Sequence, residues 1–253
     1  MKAVSVAASR RYDILIEHGL LNRAGKLVRS VTNAGTVMLV SDDSVWPLYG
    51  ETVQKSLEDT GVSVCRFVFP HGEGSKCAKT YLALLDALLE RIANGDTAAL
   101  EALYRRTQTA VYGFALSVLK NAHDAEDVLH DCYVAVWDGA AQYRSQRKPM
   151  AWLITIAKNL CLGQLRAQRK TTEMPEELPF LSADAAGISV EDRTVLSACM
   201  QQLSDGERQI VTLHAVAGFK HREIAAILHM PLATVLSKYN RAIRKLKQYL
   251  QAG

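Results

Sequence analysis

Residues 223–250 read EIAAILHMPLATVLSKYNRAIRKLKQYL, and this stretch decides the fold of the C-terminal part of the chain. Residues 223–228 have the apolar spacing of a short amphipathic helix, and His229-Met230-Pro231 predicts a tight break. A longer helix is predicted from Leu232 onward. Its apolar residues are predicted to share one side: Leu232, Leu236, Tyr239, Ile243, Leu246 and Leu250. Two helices joined by a three-residue turn predict a helix-turn-helix.

The opposite side of the longer helix is polar and basic, with Thr234, Ser237, Lys238, Arg241 and Arg244. Such a helix fits the DNA major groove, where Lys and Arg side chains read guanine edges, so these residues are predicted DNA contacts. Lys238 and Arg241 lie early in the helix, where base-reading residues of such motifs sit. Arg244, Lys245 and Lys247 follow later and are better placed for the sugar–phosphate backbone. The alternative is a helical hairpin that binds nothing.

Formal charges are segregated along the chain, although the net charge is only +4. All charges within residues 121–138 are negative, all within 144–170 are positive, and from 232 onward the chain is again only basic. Within the acidic stretch, four carboxylates share one predicted helix face: Asp124, Asp127, Asp131 and Asp138. Basic faces attract phosphate, whereas an acidic face suits a basic protein partner. Each charged cluster alone is typical of an ordinary solvent-exposed helix face. The three segregated clusters together favour a role in binding.

The composition is that of an ordinary soluble protein, with 49% hydrophobic and 22% charged residues. The five cysteines are scattered without a C-x-x-C pair, which predicts reduced thiols and argues against a disulfide framework or a zinc site. The N-terminal apolar run is too short for a signal-peptide core, and no stretch is long enough to cross a bilayer. We therefore expect a cytoplasmic protein with no membrane contact.

The chain has two regions that differ in their pattern of predicted secondary structure. Up to about residue 80, β-branched runs alternate with helical spacing, which predicts an α/β piece with a mainly parallel sheet. Beyond it only helices are predicted, with Asp96 as an N-cap and Pro149 as a first helical residue. The predicted fold class is mixed: a truncated α/β domain (1–84), an all-α domain (85–170), a linker (171–192), and an all-α domain ending in the helix-turn-helix (193–253).

Four segments of the helical part resemble one protein family. DAEDVL at 124–129 leading to VW at 136–137, and PMAWLITIAKNL at 149–160, look like region 2 of extracytoplasmic-function sigma factors. LSDGER at 203–208 and EIA at 223–225 look like region 4, which ends in the helix-turn-helix of that family. The resemblance covers about two thirds of the chain, in the right order and with the expected linker.

This resemblance implies partners and roles. Asp124, Asp127 and Asp131 are expected to bind the clamp of core RNA polymerase. Trp152, Lys158 and Asn159 are expected to open promoter DNA and hold its downstream element as a single strand, while region 4 reads the upstream element as duplex. An anti-sigma factor is a further partner that the family leaves open.

The sequence also departs from the family pattern. His229 stands where the turn often has Gly, Pro231 where it often has Ser, and Leu236 where the residue is often basic. These departures predict weaker or differently specific groove reading. Trp152 fits a plain core residue as well as one that faces DNA.

The first eighty residues resemble the start of a different family, 3-dehydroquinate synthase, through YDILI at 12–16, GLL at 19–21, VSDDSV at 40–45 and PHGEGSK at 70–76. The matching positions Asp42, Glu73 and Lys76 contact NAD in that family. The resemblance ends near residue 81, before the glycine-rich pyrophosphate loop and the Glu/His/His metal ligands. We therefore predict no catalytic residues, no metal and no cofactor beyond vestigial NAD binding. The rival hypothesis is a dehydroquinate-synthase-like cyclase or an NAD-binding sensor fused to a DNA-binding module.

Overall fold

The computed structural model describes residues 2–7, 11–145, 148–168 and 198–252. The chain forms two compact units, residues 1–103 and residues 104–253. The domain boundary predicted at residue 84 falls inside a helix, Ala78–Ala93. The predicted linker 171–192 lies outside the described residues.

The first unit alternates strands and helices. Its elements are β1 (Lys2–Ala7), β2 (Arg11–Ile16), α1 (Ala24–Val31), β3 (Thr36–Asp42), α2 (Glu51–Glu58), β4 (Ser63–Phe69) and α3 (Ala78–Ala93). Short 3-10 turns lie at Leu20–Arg23 and Glu73–Ser75, and a π-helical turn lies at Trp46–Gly50.

The strands form two separate two-stranded sheets. β3 and β4 pair in parallel, with Thr36 opposite Ser63 and Asp42 opposite Phe69. β1 and β2 pair antiparallel, with Lys2 opposite Ile16. The prediction of one mainly parallel sheet is therefore wrong for the first pair. Only residues 8–10 separate β1 from β2, and a parallel crossover needs about a dozen residues, so these strands can pair only as a hairpin.

Helices α1 and α2 pack closely at a glycine. The backbone N–H of Gly25 donates to Ser56 Oγ at 3.1 Å, and a Cβ atom at position 25 would lie 1.9 Å from the Ser56 carbonyl oxygen. No other residue fits at this crossing. In α3 the fully buried side chains are Leu85, Leu88, Leu89 and Ile92.

Helices account for all the regular structure described from residue 97 onward. They are α4 (Thr97–Leu119), α5 (Ala122–Gly139), a 3-10 turn (Ala140–Gln142), α6 (Pro149–Gln168), α7 (Asp205–Ala215), α8 (His221–Leu228) and α9 (Leu232–Ala252), and residues 198–201 are also helical. Asp96 Oδ1 caps α4 by accepting from the N–H of Ala98 at 3.0 Å, as predicted. Asn121 caps α5 in the same way, accepting from the N–H of Asp124 at 3.1 Å. Pro149 is the first residue of α6, also as predicted.

The core of α5 and α6 is apolar and contains two thiols. Cys132 and Cys161 are completely buried, and burial raises the pKa of each thiol to about 12. Both thiols are therefore protonated at neutral pH and pack as small apolar groups. This core holds α5 and α6 together, with the acidic stretch on α5 and part of the basic stretch on α6.

Candidate nucleic-acid interface

Helices α7, α8 and α9 pack around one small apolar centre. The completely buried side chains of these helices include Ile210, Leu213, Ile224 and Val235, and one buried cluster joins Val211 of α7 and Ala242 of α9 to Met200 and Leu203. α8 ends at His229, whose backbone is left-handed with φ 53° and ψ 44°. Met230 then donates its N–H to the Ala225 carbonyl at 2.9 Å, which closes the end of α8 before α9 begins at Leu232. This left-handed residue stands where the family often has Gly, the residue that adopts such a conformation without steric cost.

The buried side of α9 differs from the predicted one. Val235 and Ala242 are fully buried, with Tyr239 and Leu246 packed beside them. Leu236 is 40% exposed and Leu250 is 61% exposed, so the prediction that both share the buried side is wrong. Residues 235, 239, 242 and 246 follow the helical repeat, and residue 236 lies about 100° around the helix from residue 235. The prediction assigned Leu236 to the buried side because it is the larger apolar residue of the two. The residue that is buried is its smaller neighbour Val235.

The predicted DNA contacts of α9 divide between two sides of the helix. Ser237 and Arg244 are exposed and point away from the core. Lys238, Arg241 and Lys245 line a flank beside the first turn of α7; a Cβ atom at Gly206 would lie 3.2 Å from Lys238 Nζ. Thr234 is half-buried. The cations of α9 therefore do not form one uniform outer face.

A buried carboxylate organises this flank. The Glu207 side chain is 2% exposed; its Oε2 accepts from Lys245 Nζ at 2.7 Å, and its Oε1 lies 3.8 Å from Arg241 Nε. Oε2 also accepts from the backbone N–H of Ser204 at 2.9 Å, as part of the capping box that starts α7. The pKa of Glu207 is lowered to about 2: burial acts against this shift, and the hydrogen bonds from Lys245 and Ser204 outweigh it. The Lys245 ammonium is thus paired within the protein, whereas the sequence predicts that it contacts DNA phosphate.

Three rings meet on the inner side of the same helices. His214 of α7 and His221 of α8 stack with centroids 4.6 Å apart, and each meets Tyr239 of α9 edge-on. His214 Nδ1 bonds to the Phe219 carbonyl oxygen at 2.8 Å. Within the described part of the chain, the buried Nε2 of His221 has no hydrogen-bond partner. Burial, with a smaller effect from His214, lowers the pKa of His221.

On α6 the three predicted single-strand contacts lie in different surroundings. Asn159 is exposed. Trp152 is half-buried, and its ring lies 4.9 Å from that of Tyr143. Lys158 donates from Nζ to the carbonyl oxygen of Ile227 in α8 at 2.7 Å, and desolvation lowers its pKa. Of the three, only Asn159 faces solvent freely; the Lys158 ammonium caps the carboxyl end of α8, where carbonyl groups lack helical partners.

The predicted polymerase contacts on α5 also divide. Asp127 and Asp131 are exposed. Asp124 is half-buried and accepts from Gln164 Nε2 at 2.9 Å and Gln168 Nε2 at 2.8 Å, both on α6. The acidic face available to a partner is therefore centred on Asp127 and Asp131, while Asp124 also fixes α6 against α5.

In the first unit, the three residues that match nucleotide contacts are Asp42, Glu73 and Lys76. They bond to one another or to the loop in which they lie. Asp42 Oδ1 accepts from the N–H groups of Ser44 and Val45 at 2.9 and 2.8 Å. The hydrogen bond from the Ser44 hydroxyl, together with these two bonds, lowers the pKa of Asp42. Glu73 and Lys76 form an exposed ion pair at 2.7 Å. An adjacent pocket of about 390 Å³ is lined by Lys76 together with Phe67, Phe69, Cys77 and Tyr81, but by neither Asp42 nor Glu73. The three residues do not converge on one cavity.

Across the described residues, no cluster of three or more His, Cys, Asp or Glu side chains could hold a metal ion. None of the helices described is long and apolar enough to cross a membrane. Sequence reasoning missed the role of Glu207. Its S-x-x-E spacing after Ser204 is a visible signal for a helix start, but that spacing says nothing about which cations meet it in space.

Two family profiles match the helical part of the chain. Sigma-70 region 2 matches residues 103–171, and sigma-70 region 4 matches residues 193–246. The extracytoplasmic-function RNA polymerase sigma factor SigK of Mycobacterium sp. strain KMS is 32% identical over 174 residues, which cover 66% of this chain and 90% of that relative. The SigK protein of Mycobacterium ulcerans strain Agy99 is 30% identical over 177 residues, covering 67% of this chain and 95% of the relative.

A solved structure shares the fold. The sigma factor RpoE of Bartonella quintana, determined in complex with the anti-sigma factor NepR, superposes with a TM-score of 0.51 at 22% identity. The match covers 60% of this chain and 96% of that protein. At this identity the likeness concerns the arrangement of the helices and not individual contacts.

Proposed function

Because this chain belongs to the extracytoplasmic-function sigma factors, we propose that it acts in transcription initiation through two surfaces, an acidic face of α5 that binds core RNA polymerase and a region 4 flank that reads promoter DNA. Sigma factors of this family are not enzymes; they lend the polymerase its promoter specificity. The observation that carries the assignment of surfaces is the division of charge: exposed Asp127 and Asp131 on α5, and cations without acids along α9.

The upstream promoter element is the proposed duplex ligand of α8 and α9. α8 is joined to α9 by residues 229–231, the two helices pack against each other, and Ile224 and Val235 are both completely buried. This arrangement supports the proposal of a helix-turn-helix, in which the second helix enters the major groove. Arg241 and Lys238 are proposed to read bases, and Arg244 and Lys247 to contact phosphate.

The downstream element is the proposed single-stranded ligand of α6. Asn159 faces solvent, and Trp152 keeps part of its ring exposed while it supports the end of α5. Lys158 reaches DNA only if its bond to the Ile227 carbonyl is exchanged for one to phosphate. We therefore assign base contact to Asn159 and Trp152 first, and to Lys158 only once α8 has moved away.

Transcription in vitro with core RNA polymerase tests the assignment as a whole. The full chain is expected to produce run-off transcripts from promoters selected out of a randomised pool, and core polymerase alone is not. Absence of any selected promoter would contradict the proposal. NepR-like anti-sigma factors are a natural class of further partner, because the relative with a shared fold binds one.

Two substitutions in α9 test the division of roles. Arg241→Ala is expected to cost about 1–3 kcal/mol on the selected upstream element and to relax preference at one base pair. Lys247→Ala is expected to weaken all duplexes alike and to lower the salt slope by about one unit. Titration of both variants against selected and scrambled duplexes at several salt concentrations measures this. Equal losses on both duplexes would make Arg241 a phosphate contact, and no loss in either variant would reject this surface.

For residues 1–81 we propose a fragment of the 3-dehydroquinate synthase fold without catalytic activity. The carboxylate of Asp42 already accepts two loop N–H groups, and Glu73 pairs with Lys76, so neither side chain is held ready for a nucleotide. An NAD-binding sensor remains the second candidate, favoured only by the pocket that Lys76 lines. Equilibrium dialysis of the full chain with NAD separates the two.

A further inference from the structure

We propose that Glu207 is a positioning residue for promoter recognition: it orients Arg241 so that the terminal nitrogens of the guanidinium face the DNA. This inference rests on the proposed function of α9. Glu207 itself is 2% exposed and cannot touch DNA, whereas the Arg241 side chain is 52% exposed.

The geometry of the ion pair supports this role. Glu207 Oε1 approaches Arg241 through Nε, at 3.8 Å, which is an ion pair and too long for a hydrogen bond. An arginine held from the Nε side keeps its two terminal amino groups for another ligand. Those two groups form the fork that matches O6 and N7 of guanine. The Glu207 carboxylate therefore approaches the Nε side of the guanidinium, and the two terminal amino groups that contact a guanine stay available.

The carboxylate is itself fixed. Its other oxygen accepts from the Ser204 N–H at 2.9 Å and from Lys245 Nζ at 2.7 Å. Because the first of these bonds belongs to the start of α7, the position of Glu207 is set by helix α7 and not by α9. Glu207 thus ties the orientation of one α9 side chain to a second helix, and a preorganised side chain loses less freedom on binding.

The same contact removes a cation from the binding surface. Lys245 lies one turn after Arg241 on the same flank, and its ammonium is paired inside the protein. An unpaired Lys245 adds attraction to any phosphate, whatever the sequence. Pairing it leaves Arg241 and Lys238 as the cations of this flank that face the groove, which raises sequence preference at the expense of general affinity.

Glu207→Gln is the direct test, because glutamine also suits the third position of a capping box and can still accept from Ser204. The full chain bound to core polymerase is titrated with a duplex selected by the wild type and with its scrambled copy. We expect preference for the selected duplex to fall about tenfold, as for loss of one guanine contact. Binding to the scrambled duplex is expected to be kept, with a salt slope steeper by about one unit as Lys245 is released.

A matched glutamate provides the control. Glu223 occupies the same position in α8, where it accepts from the Lys220 N–H at 2.8 Å. Within the described residues it forms no ion pair with α9. Glu223→Gln removes the same charge from the same kind of cap, and it is expected to leave the preference unchanged.

A double substitution separates positioning from simple stability. If Glu207 acts through Arg241, then Glu207→Gln has no further effect on preference in the Arg241→Ala background. A purely structural glutamate would instead weaken both duplexes equally, in both backgrounds, and that result would overturn the inference. Should Glu207→Gln fail to fold, Arg241→Lys keeps the charge but lacks the Nε contact and the fork; retained preference in that variant would also overturn it.

The wild type distinguishes failure of this inference from failure of the proposed function. A wild type without preference for any duplex rejects both. A wild type with a clear preference that Glu207→Gln shares rejects the role of Glu207 alone.

Discussion

The two units of this protein bury their apolar residues to very different extents. In the first unit the β1–β2 hairpin exposes Tyr12, Ile14 and Ile16, and β3 exposes Val40. In the second unit the side chains of Phe114, Leu153 and Ile224 are completely buried. A helix satisfies its own backbone and needs a neighbour for one face only, whereas a strand needs neighbours at both edges and a parallel sheet also needs covered faces. Two-stranded sheets therefore leave more apolar surface exposed than a group of packed helices does.

Charge reversal on α5 gives the largest expected difference between the units. Asp127→Lys with Asp131→Lys is expected to abolish binding to core polymerase, because both carboxylates are exposed and belong to the proposed contact. Glu51→Lys with Asp59→Lys, two exposed acids of the first unit, is the matched control and is expected to bind normally. Pull-down on immobilised core polymerase, with circular dichroism to verify helicity, measures both. Equal binding by the two pairs would make the acidic face a merely solvated one.

A matched pair of isoleucines tests the difference in packing. Ile224→Ala is expected to destabilise the second unit by about 2–5 kcal/mol, since the side chain is fully buried. Ile14→Ala is expected to change the stability of the first unit by at most about 0.5 kcal/mol, since Ile14 is 44% exposed. Hydrogen exchange of peptides from each unit, followed across a urea series, reports the two separately. Similar losses at both positions would mean that the hairpin is covered in solution.

The histidine pair predicts a pH dependence confined to the second unit. The pKa of His221 is lowered from its ordinary value of 6.5, so the unfolded chain binds a proton at a higher pH than the folded chain does. This contribution to stability is present above pH 6.5 and is lost as the pH falls from 6.5 toward the lowered pKa of the folded state. His221→Phe keeps a ring beside His214 but cannot titrate, and it is expected to flatten the dependence. A wild-type unfolding free energy that stays constant between about pH 7.5 and 5 would contradict this account.

We expect no catalytic activity from the first unit. Incubation of the full chain with the sugar-phosphate substrate of 3-dehydroquinate synthase, NAD and a divalent metal should release no phosphate above background. The reason is that the sequence resemblance ends before the glycine-rich loop and the metal ligands. Measurable phosphate release would show instead that residues 1–81 complete an active site in some other way.

The sequence by itself determined the helices, their starts and the separation of charge. Asp96, Asn121 and Pro149 begin helices through contacts within a few residues, and such contacts depend only on the local chain. The family was also visible in sequence, because its motifs are contiguous segments. Even the antiparallel pairing of β1 and β2 follows from the three residues between them, once loop length is weighed.

Only the tertiary structure decided which charged residues are available to a partner. Arg241, Lys245 and Lys158 look alike in the sequence as cations on amphipathic helices. In the folded chain, Lys245 pairs with Glu207 across 38 positions of sequence, and Lys158 bonds to Ile227 across 69. No local pattern encodes which helices meet, because packing is decided by the whole apolar surface of each helix. The packing of α7 and α8 thus leaves Arg241 half exposed beside a buried carboxylate while it engages the other two cations within the protein.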